Sequence, residues 1–279
     1  MKIITEKLIE SFTENMKFEE KSYLTIEKYA RDIRLFYRWV GEKAFDKSDV
    51  LNFKAYLTEN YAPSSVNSML SSVNSFFEFN KWYGLKVKAL KIQKCVFADN
   101  EKELSKNEYS KLLAAAKDKN NDRLYFLMQT ICASGLRVSE LKYVTVAAAK
   151  SRLAKIKCKG KIRQVFLPDK LCRELLKYAN ARKIKSGSIF VTSTGKPLDR
   201  SNIWKLMKSL CESAGVSPKK VFPHNLRHLF ARTFYSVQKD IVRLADILGH
   251  SSINTTRIYT METGEIHRRQ IQNLGLLRC

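Results

Sequence analysis

A chain of 279 residues with 44% hydrophobic content is long enough to bury more than one core, and two domains are expected. Its formal charge of +24 fits a polyanionic partner, because lysine and arginine bind phosphates and release condensed counterions. No run approaches the roughly 20 apolar residues of a membrane span, and Met1-Lys2-Ile3-Ile4-Thr5-Glu6-Lys7 turns too charged for a secretory signal. Six scattered cysteines (Cys95, Cys132, Cys158, Cys172, Cys211 and Cys279) lack both CxxC pairing and zinc spacing, so a cytoplasmic protein with reduced thiols is expected.

The charge is uneven. Residues 1–90 hold 14 basic and 12 acidic side chains, residues 91–103 hold 3 of each, and residues 104–279 hold 34 and 12, which places +22 of the excess in the last segment.

Residues 1–90 read as a small helical domain. Ile26, Tyr29, Ile33, Phe36 and Val40 form a helical stripe, with Lys28, Arg31, Arg34 and Arg38 mostly off it. A second stripe, Val66, Leu70, Val73, Phe76 and Phe77, follows Pro63-Ser64, where Ser64 is expected to cap the helix. The polar side of that helix carries Asn67, Ser71, Ser72 and Asn74, facing either phosphates or plain water. Residues 91–103 show no stripe and read as an interdomain linker. Ser105 then caps a helix, with Glu108 at the capping-box position.

Farther along, residues 154–158 and 162–167 are strand-like runs around Lys159-Gly160-Lys161, a hairpin, and Ile189-Phe190-Val191 suggests a third strand. The rest is helical: Ile203, Leu206, Met207 and Leu210 form one stripe ending near Gly215, and Leu244, Ile247 and Leu248 another ending at Gly249. Ala147-Ala148-Ala149 is unusually apolar for a surface segment. The fold class is mainly α with a small antiparallel sheet, an α+β arrangement.

Four places concentrate residues suited to phosphoryl transfer: Gly135-Leu136-Arg137-Val138-Ser139-Glu140-Leu141, Lys159, His224-Asn225-Leu226-Arg227-His228, and Leu248-Gly249-His250 with Tyr259 nine residues later. Each alone is weak: Arg137 reads equally as a surface arginine, and Tyr259 as a half-buried packing residue. In this order and at these separations they resemble the tyrosine recombinase (phage integrase) family, whose pattern is GLR-x-x-E-L, a hairpin lysine, H-x-x-R, L-G-H and a nucleophilic tyrosine. The match covers the second half, and overall layout is most similar to Xer-like members and small mobile-element integrases.

The resemblance implies a two-domain, C-shaped DNA clamp: a SAM-like core-binding domain over 1–90, a linker over 91–103, and a catalytic domain over 104–279 with a tail helix at 261–279. Negative charge grows on the non-bridging oxygens of an attacked phosphodiester, and two permanently charged guanidiniums, Arg137 and Arg227, suit them. Tyr259 becomes the covalent nucleophile, forming a 3′-phosphotyrosyl link. His224 assists as base or hydrogen-bond partner, His250 donates to the phosphate, Lys159 protonates the departing 5′ oxygen, and Glu140 either orients a neighbour or is an ordinary exposed carboxylate.

No metal, nucleotide or other cofactor is expected. The implied partners are double-stranded DNA with inverted half-sites and a homotetramer on paired sites, or a related second recombinase sharing the work. The tail either packs on its own domain or, as the resemblance implies, is donated to a neighbouring protomer. A type IB topoisomerase-like relaxing enzyme and a non-catalytic DNA-binding regulator are the alternatives.

Overall fold

The computed structural model describes residues 1–92, 101–158, 161–259 and 272–274. The chain divides into two compact units, residues 1–94 and 95–279. Among the described residues no helix is long and apolar enough to cross a membrane.

The first unit is helical: α1 (Glu6–Phe18), α2 (Tyr23–Val40), α3 (Lys47–Asn60), α4 (Pro63–Phe79) and a 3₁₀ turn at Tyr83–Leu85. The two stripes meet as anticipated, with Ile33 and Phe36 of α2 and Val73, Phe76 and Phe77 of α4 fully buried in one core. Phe36 packs among other aromatic rings there, with ring centroids 4.9 Å from Phe53, 5.4 Å from Phe45 and 5.7 Å from Phe77.

Three expectations in this unit are corrected. Ser64 does not cap α4: the helix begins at Pro63, whose fixed φ suits a first helical position, and Ala62 precedes it without a side-chain cap. Asn67 and Asn74 face neither phosphate nor plain water. Each grips one backbone residue of the segment after the 3₁₀ turn: Nδ2 donates to a carbonyl (Leu90 and Val87, 2.9 and 2.8 Å), and Oδ1 accepts that residue's N–H (2.7 and 2.9 Å). Ser72 is buried and donates to Asp32, itself buried on α2, while Lys28 bridges Asp32 (2.9 Å), Ser72 and the Ser68 carbonyl. Part of the basic face of α2 thus neutralises a buried carboxylate, as a charge removed from water requires.

The second unit begins with α5 (Lys106–Asp118), opened by the Ser105–Glu108 capping box, and α6 (Asp122–Ser134). A 3₁₀ turn (Val138–Tyr143) and α7 (Val146–Ser151) lead into the antiparallel hairpin β1 (Leu153–Cys158) and β2 (Lys161–Phe166), in register from Leu153↔Phe166 to Cys158↔Lys161. Next come α8 (Asp169–Ala181), α9 (Arg200–Lys208), α10 (Cys211–Ala214), α11 (Pro223–Gln238), α12 (Ile241–Leu248), α13 (Ile253–Thr256) and a 3₁₀ turn ending at Tyr259. Ala148 and Ala149 are buried where α7 packs on α8, so small side chains there permit close approach.

Ile189-Phe190-Val191 is not a third strand. Ile189 and Phe190 are both buried, leaving no alternation between two faces, and isolated bridges (Thr145↔Ser188, Val191↔Pro197) tie the segment to loops rather than to the hairpin. Of the stripe from Ile203 to Leu210, Ile203, Leu206 and Met207 lie on α9, which ends at Lys208, and Leu210 lies in the turn before α10, the short helix that ends at Gly215.

Candidate active site

Three helix ends meet at the site. α6 stops at Gly135 and α12 at Gly249, both left-handed, with φ of +66° and +63°. Both positions also need the missing Cβ: at Gly135 it would lie 2.6 Å from the Phe230 ring of α11, and at Gly249 2.6 Å from Cδ of Arg163. The glycines of the GLR and LGH segments thus let two helix C-termini converge.

Arg227, on the first turns of α11, enters that junction and is among the largest fully buried side chains, 1% exposed. Its Nη1 donates to the Gly135 carbonyl (2.6 Å) and Nη2 to the Leu248 carbonyl (2.8 Å), so one guanidinium caps the negative ends of two helices. Nη2 also lies 2.9 Å from Nε2 of His250. Burial lowers the Arg227 pKa to about 10, still well above neutrality.

Since a guanidinium only donates, Nε2 of His250 is the acceptor, and its Nδ1 donates to Thr256 Oγ1 at 2.9 Å. Burial, reinforced by the charges of Arg227, Arg137 and Arg163, lowers the His250 pKa to about 4, so the ring is neutral. Donation from Nε2 to a phosphate requires that ring to release Arg227 and take up a proton there.

Arg137 precedes the 3₁₀ turn and is better exposed. Glu140, only 4% exposed, accepts from its backbone N–H (2.8 Å) and its Nη1 (3.1 Å), which rules out an ordinary solvated carboxylate. Arg137, His224 and Arg227 line one cavity of about 310 Å³ together with Arg200, Trp204 and Phe222. His224 is exposed, and burial of part of its ring beside Arg227 and Arg137 lowers its pKa.

Tyr259 is not among the residues lining that cavity. It is 4% exposed and packs with Ala231, Leu244 and Leu248. Burial raises its pKa, and the nearby charges of Arg227 and Arg137 pull it back. The phenol therefore stays protonated at neutral pH and needs a proton acceptor to become a nucleophile. Lys159 lies outside the described residues, as does the tail at 261–279 apart from residues 272–274.

Two neighbours of the site were given no role by the sequence. His228 meets the Tyr259 ring edge-on (centroids 4.9 Å, 88°) and the His224 ring at 4.5 Å; burial, then His224 and Arg227, lower its pKa to about 4. Its spacing of four from His224 on one helix was the available signal. Arg163 of β2 forms a 2.5 Å ion pair with Glu140, and its signal was a charge on the strand face that also carries Val165.

A mostly helical scaffold with one hairpin, gathering two arginines, three histidines and a tyrosine about converging helix ends, defines a class: the tyrosine recombinases. The chain belongs to the phage integrase family, whose model matches residues 102–265, and the family's N-terminal SAM-like domain matches residues 8–80. It is a site-specific recombinase similar to tyrosine recombinase XerA of Pyrococcus furiosus, at 31% identity over 99% of this chain and 96% of that one. It is also 29% identical to XerD of Xanthomonas campestris pv. campestris, over 90% of this chain and 84% of the relative. In fold it is similar to the Tn1549 transposon integrase bound to transposon right end DNA (TM-score 0.75, 16% identity, 96% and 99% coverage). The pre-cleavage complex of XerH with its difH substrate is similar as well (TM-score 0.68, 20% identity, 96% and 85% coverage).

Proposed function

We propose that the protein cuts DNA strands at a specific site and rejoins them to new partners through a covalent bond to Tyr259. The phenol oxygen attacks the scissile phosphorus, forming the P–O(Tyr) bond as the P–O5′ bond breaks, and leaves a 3′-phosphotyrosyl link. Arg137 and Arg227 stabilise charge on the non-bridging oxygens. His224 takes the phenolic proton, Lys159 supplies one to the departing 5′ oxygen, His250 supports the phosphate, and Glu140 holds Arg137. Attack by a second 5′ hydroxyl reverses these steps, so the phosphotyrosine conserves the bond and no nucleotide is spent.

The observation that carries this reading is the convergence of Arg137, His224 and Arg227, from two distant segments, on one cavity. The +22 charge of residues 104–279 supports a DNA partner, as do the DNA complexes of the similar transposon integrase and XerH. Residues 1–90 would serve as core-binding domain, 91–103 as linker and 104–279 as catalytic domain. Four copies would act on two paired sites of inverted half-sites, each donating its 261–279 tail to a neighbour, or a related second recombinase would share the work. The setting would be the bacterial cytoplasm, at the nucleoid, in resolution of chromosome dimers or in integration and excision of a mobile element.

The test is a nicked half-site substrate carrying a sequence that the protein itself selects from a randomised duplex pool. A denaturation-resistant protein–DNA adduct is expected with the wild type and none with Tyr259→Phe. An adduct that persists in Tyr259→Phe, or none with the wild type, refutes the reading.

A further inference from the structure

We infer that Arg163 is a positioning residue of the strand-transfer site, acting through Glu140 on Arg137 and through the Ile247 carbonyl on the turn that carries His250. The inference rests on the proposed role of Arg137 at the phosphate.

Alternation along β2 makes the assignment unusual. Ile162 and Phe166 are exposed, 65% and 76%, whereas Val165 is buried, so the inward face of the strand is the one that carries Arg163. An arginine placed inward costs desolvation unless its donors are used, and here both terminal nitrogens are, with Nε alone left buried and without a partner. Nη2 reaches Oε2 of Glu140 at 2.5 Å and Nη1 reaches the carbonyl of Ile247 at 2.6 Å. The chain between passes so close to Gly249 that a Cβ there would meet Cδ at 2.6 Å and Nε at 2.9 Å. Arg163 therefore ties the hairpin to the 3₁₀ turn after Arg137 on one side and to the C-terminus of α12 on the other.

The electrostatic consequence falls on Arg137. The buried Glu140 carboxylate is shared by two guanidiniums, and with Arg163 in place only part of its field acts on Arg137. Without Arg163 the carboxylate has Arg137 as its remaining cation among these contacts, so Arg137 is drawn inward and its charge is spent on Glu140 instead of on the scissile phosphate. A lysine at 163 keeps the charge but, with one nitrogen, cannot span Glu140 and Ile247 together.

The experiment is single-turnover cleavage by the full chain on the nicked half-site above, made either with the ordinary phosphodiester or with a methylphosphonate at the scissile position. The methyl group removes the non-bridging charge that the arginines answer. Arg163→Met and Arg163→Lys are expected to cleave the phosphodiester about 10- to 100-fold more slowly with unchanged DNA affinity. On the methylphosphonate that deficit is expected to shrink to a few-fold, as for Arg137→Ala, and Arg163→Met is expected to slow cleavage less in the Glu140→Gln background than in the wild type, the remainder being the route through Ile247. A deficit equal on both substrates, or additive with Glu140→Gln, overturns the proposal, because a merely structural role predicts that. Thermal melts identify a variant that fails to fold, and Arg163→Lys, which retains the charge and most of the volume, then gives the decisive comparison. If Arg137→Ala shows no relief on the methylphosphonate, the phosphate role of Arg137 itself fails and this proposal falls with it; relief for Arg137→Ala alone refutes Arg163 specifically.

Discussion

Gly249→Ala and Gly215→Ala form a matched pair that isolates the packing of Arg163. Both glycines end helices in the left-handed region, at φ +63°, ψ 50° and φ +60°, ψ 36°. Each substitution therefore carries a similar conformational cost, on the order of 1–2 kcal/mol. At Gly215 a Cβ enters open space, with nothing within 4 Å, whereas at Gly249 it strikes the middle of the Arg163 side chain. Cδ and Nε cannot move aside without withdrawing the guanidinium from Ile247 and Glu140, two charge-assisted contacts in a partly buried site. Their loss adds about 2–4 kcal/mol to the Gly249 variant. Thermal melts should therefore place Gly249→Ala roughly 5–15 °C below Gly215→Ala, and adduct formation should fall only in the former. Equal melting temperatures, or full cleavage by Gly249→Ala, would refute the packing argument.

His228 and His250 are neutral in the folded chain, with pKa values near 4 against about 6.5 when unfolded, so the unfolded chain binds more protons between those values. Stability is then fully present above pH 6.5 and is lost as pH falls toward 4, by about 1–3 kcal/mol once solvent screening at the partly exposed rings is allowed for; urea titrations at pH 7 and 4.5 measure it, and His228→Phe should flatten the slope. Arg227→Lys leaves one nitrogen where Gly135, Leu248 and His250 are now served by two. It should cost about 2–4 kcal/mol in urea unfolding and slow adduct formation on the order of 100-fold or more. Asn74→Ala removes both bonds to Val87 and should destabilise the first unit by about 1–3 kcal/mol. The salt dependence of DNA binding should stay unchanged, since Asn74 is spent on the protein's own backbone.

What the sequence disclosed follows from how far each signal reaches along the chain. The Ser105–Glu108 capping box and the two stripes of the first unit are local, set by three- and four-residue spacing, and their geometry follows. The order of Arg137, Glu140, His224, Arg227, His250 and Tyr259 is a one-dimensional pattern, legible as a family resemblance without any knowledge of contacts. What was illegible is pairing over distance. Asn67 and Asn74 look like a solvated face because their partners lie 23 and 13 residues away on plain backbone. Arg163 meets Glu140 and Ile247 across 23 and 84 residues. The misplaced cap at Ser64 is a contest between two rules, a capping hydroxyl against a proline that suits the first helical position, and the proline prevailed. The supposed third strand failed because buried β-type residues also serve as anchors for a loop.

Everything proposed for the site depends on which side chain joins the DNA. The wild-type protein trapped on the nicked half-site, digested with protease and nuclease, gives a nucleotide-bearing peptide whose modified residue mass spectrometry identifies. The expected result is a single 3′-phosphodeoxynucleotide on Tyr259, in the peptide that begins after Arg257. A modification on any other residue, or a 5′-linked nucleotide on Tyr259, would contradict the proposed chemistry.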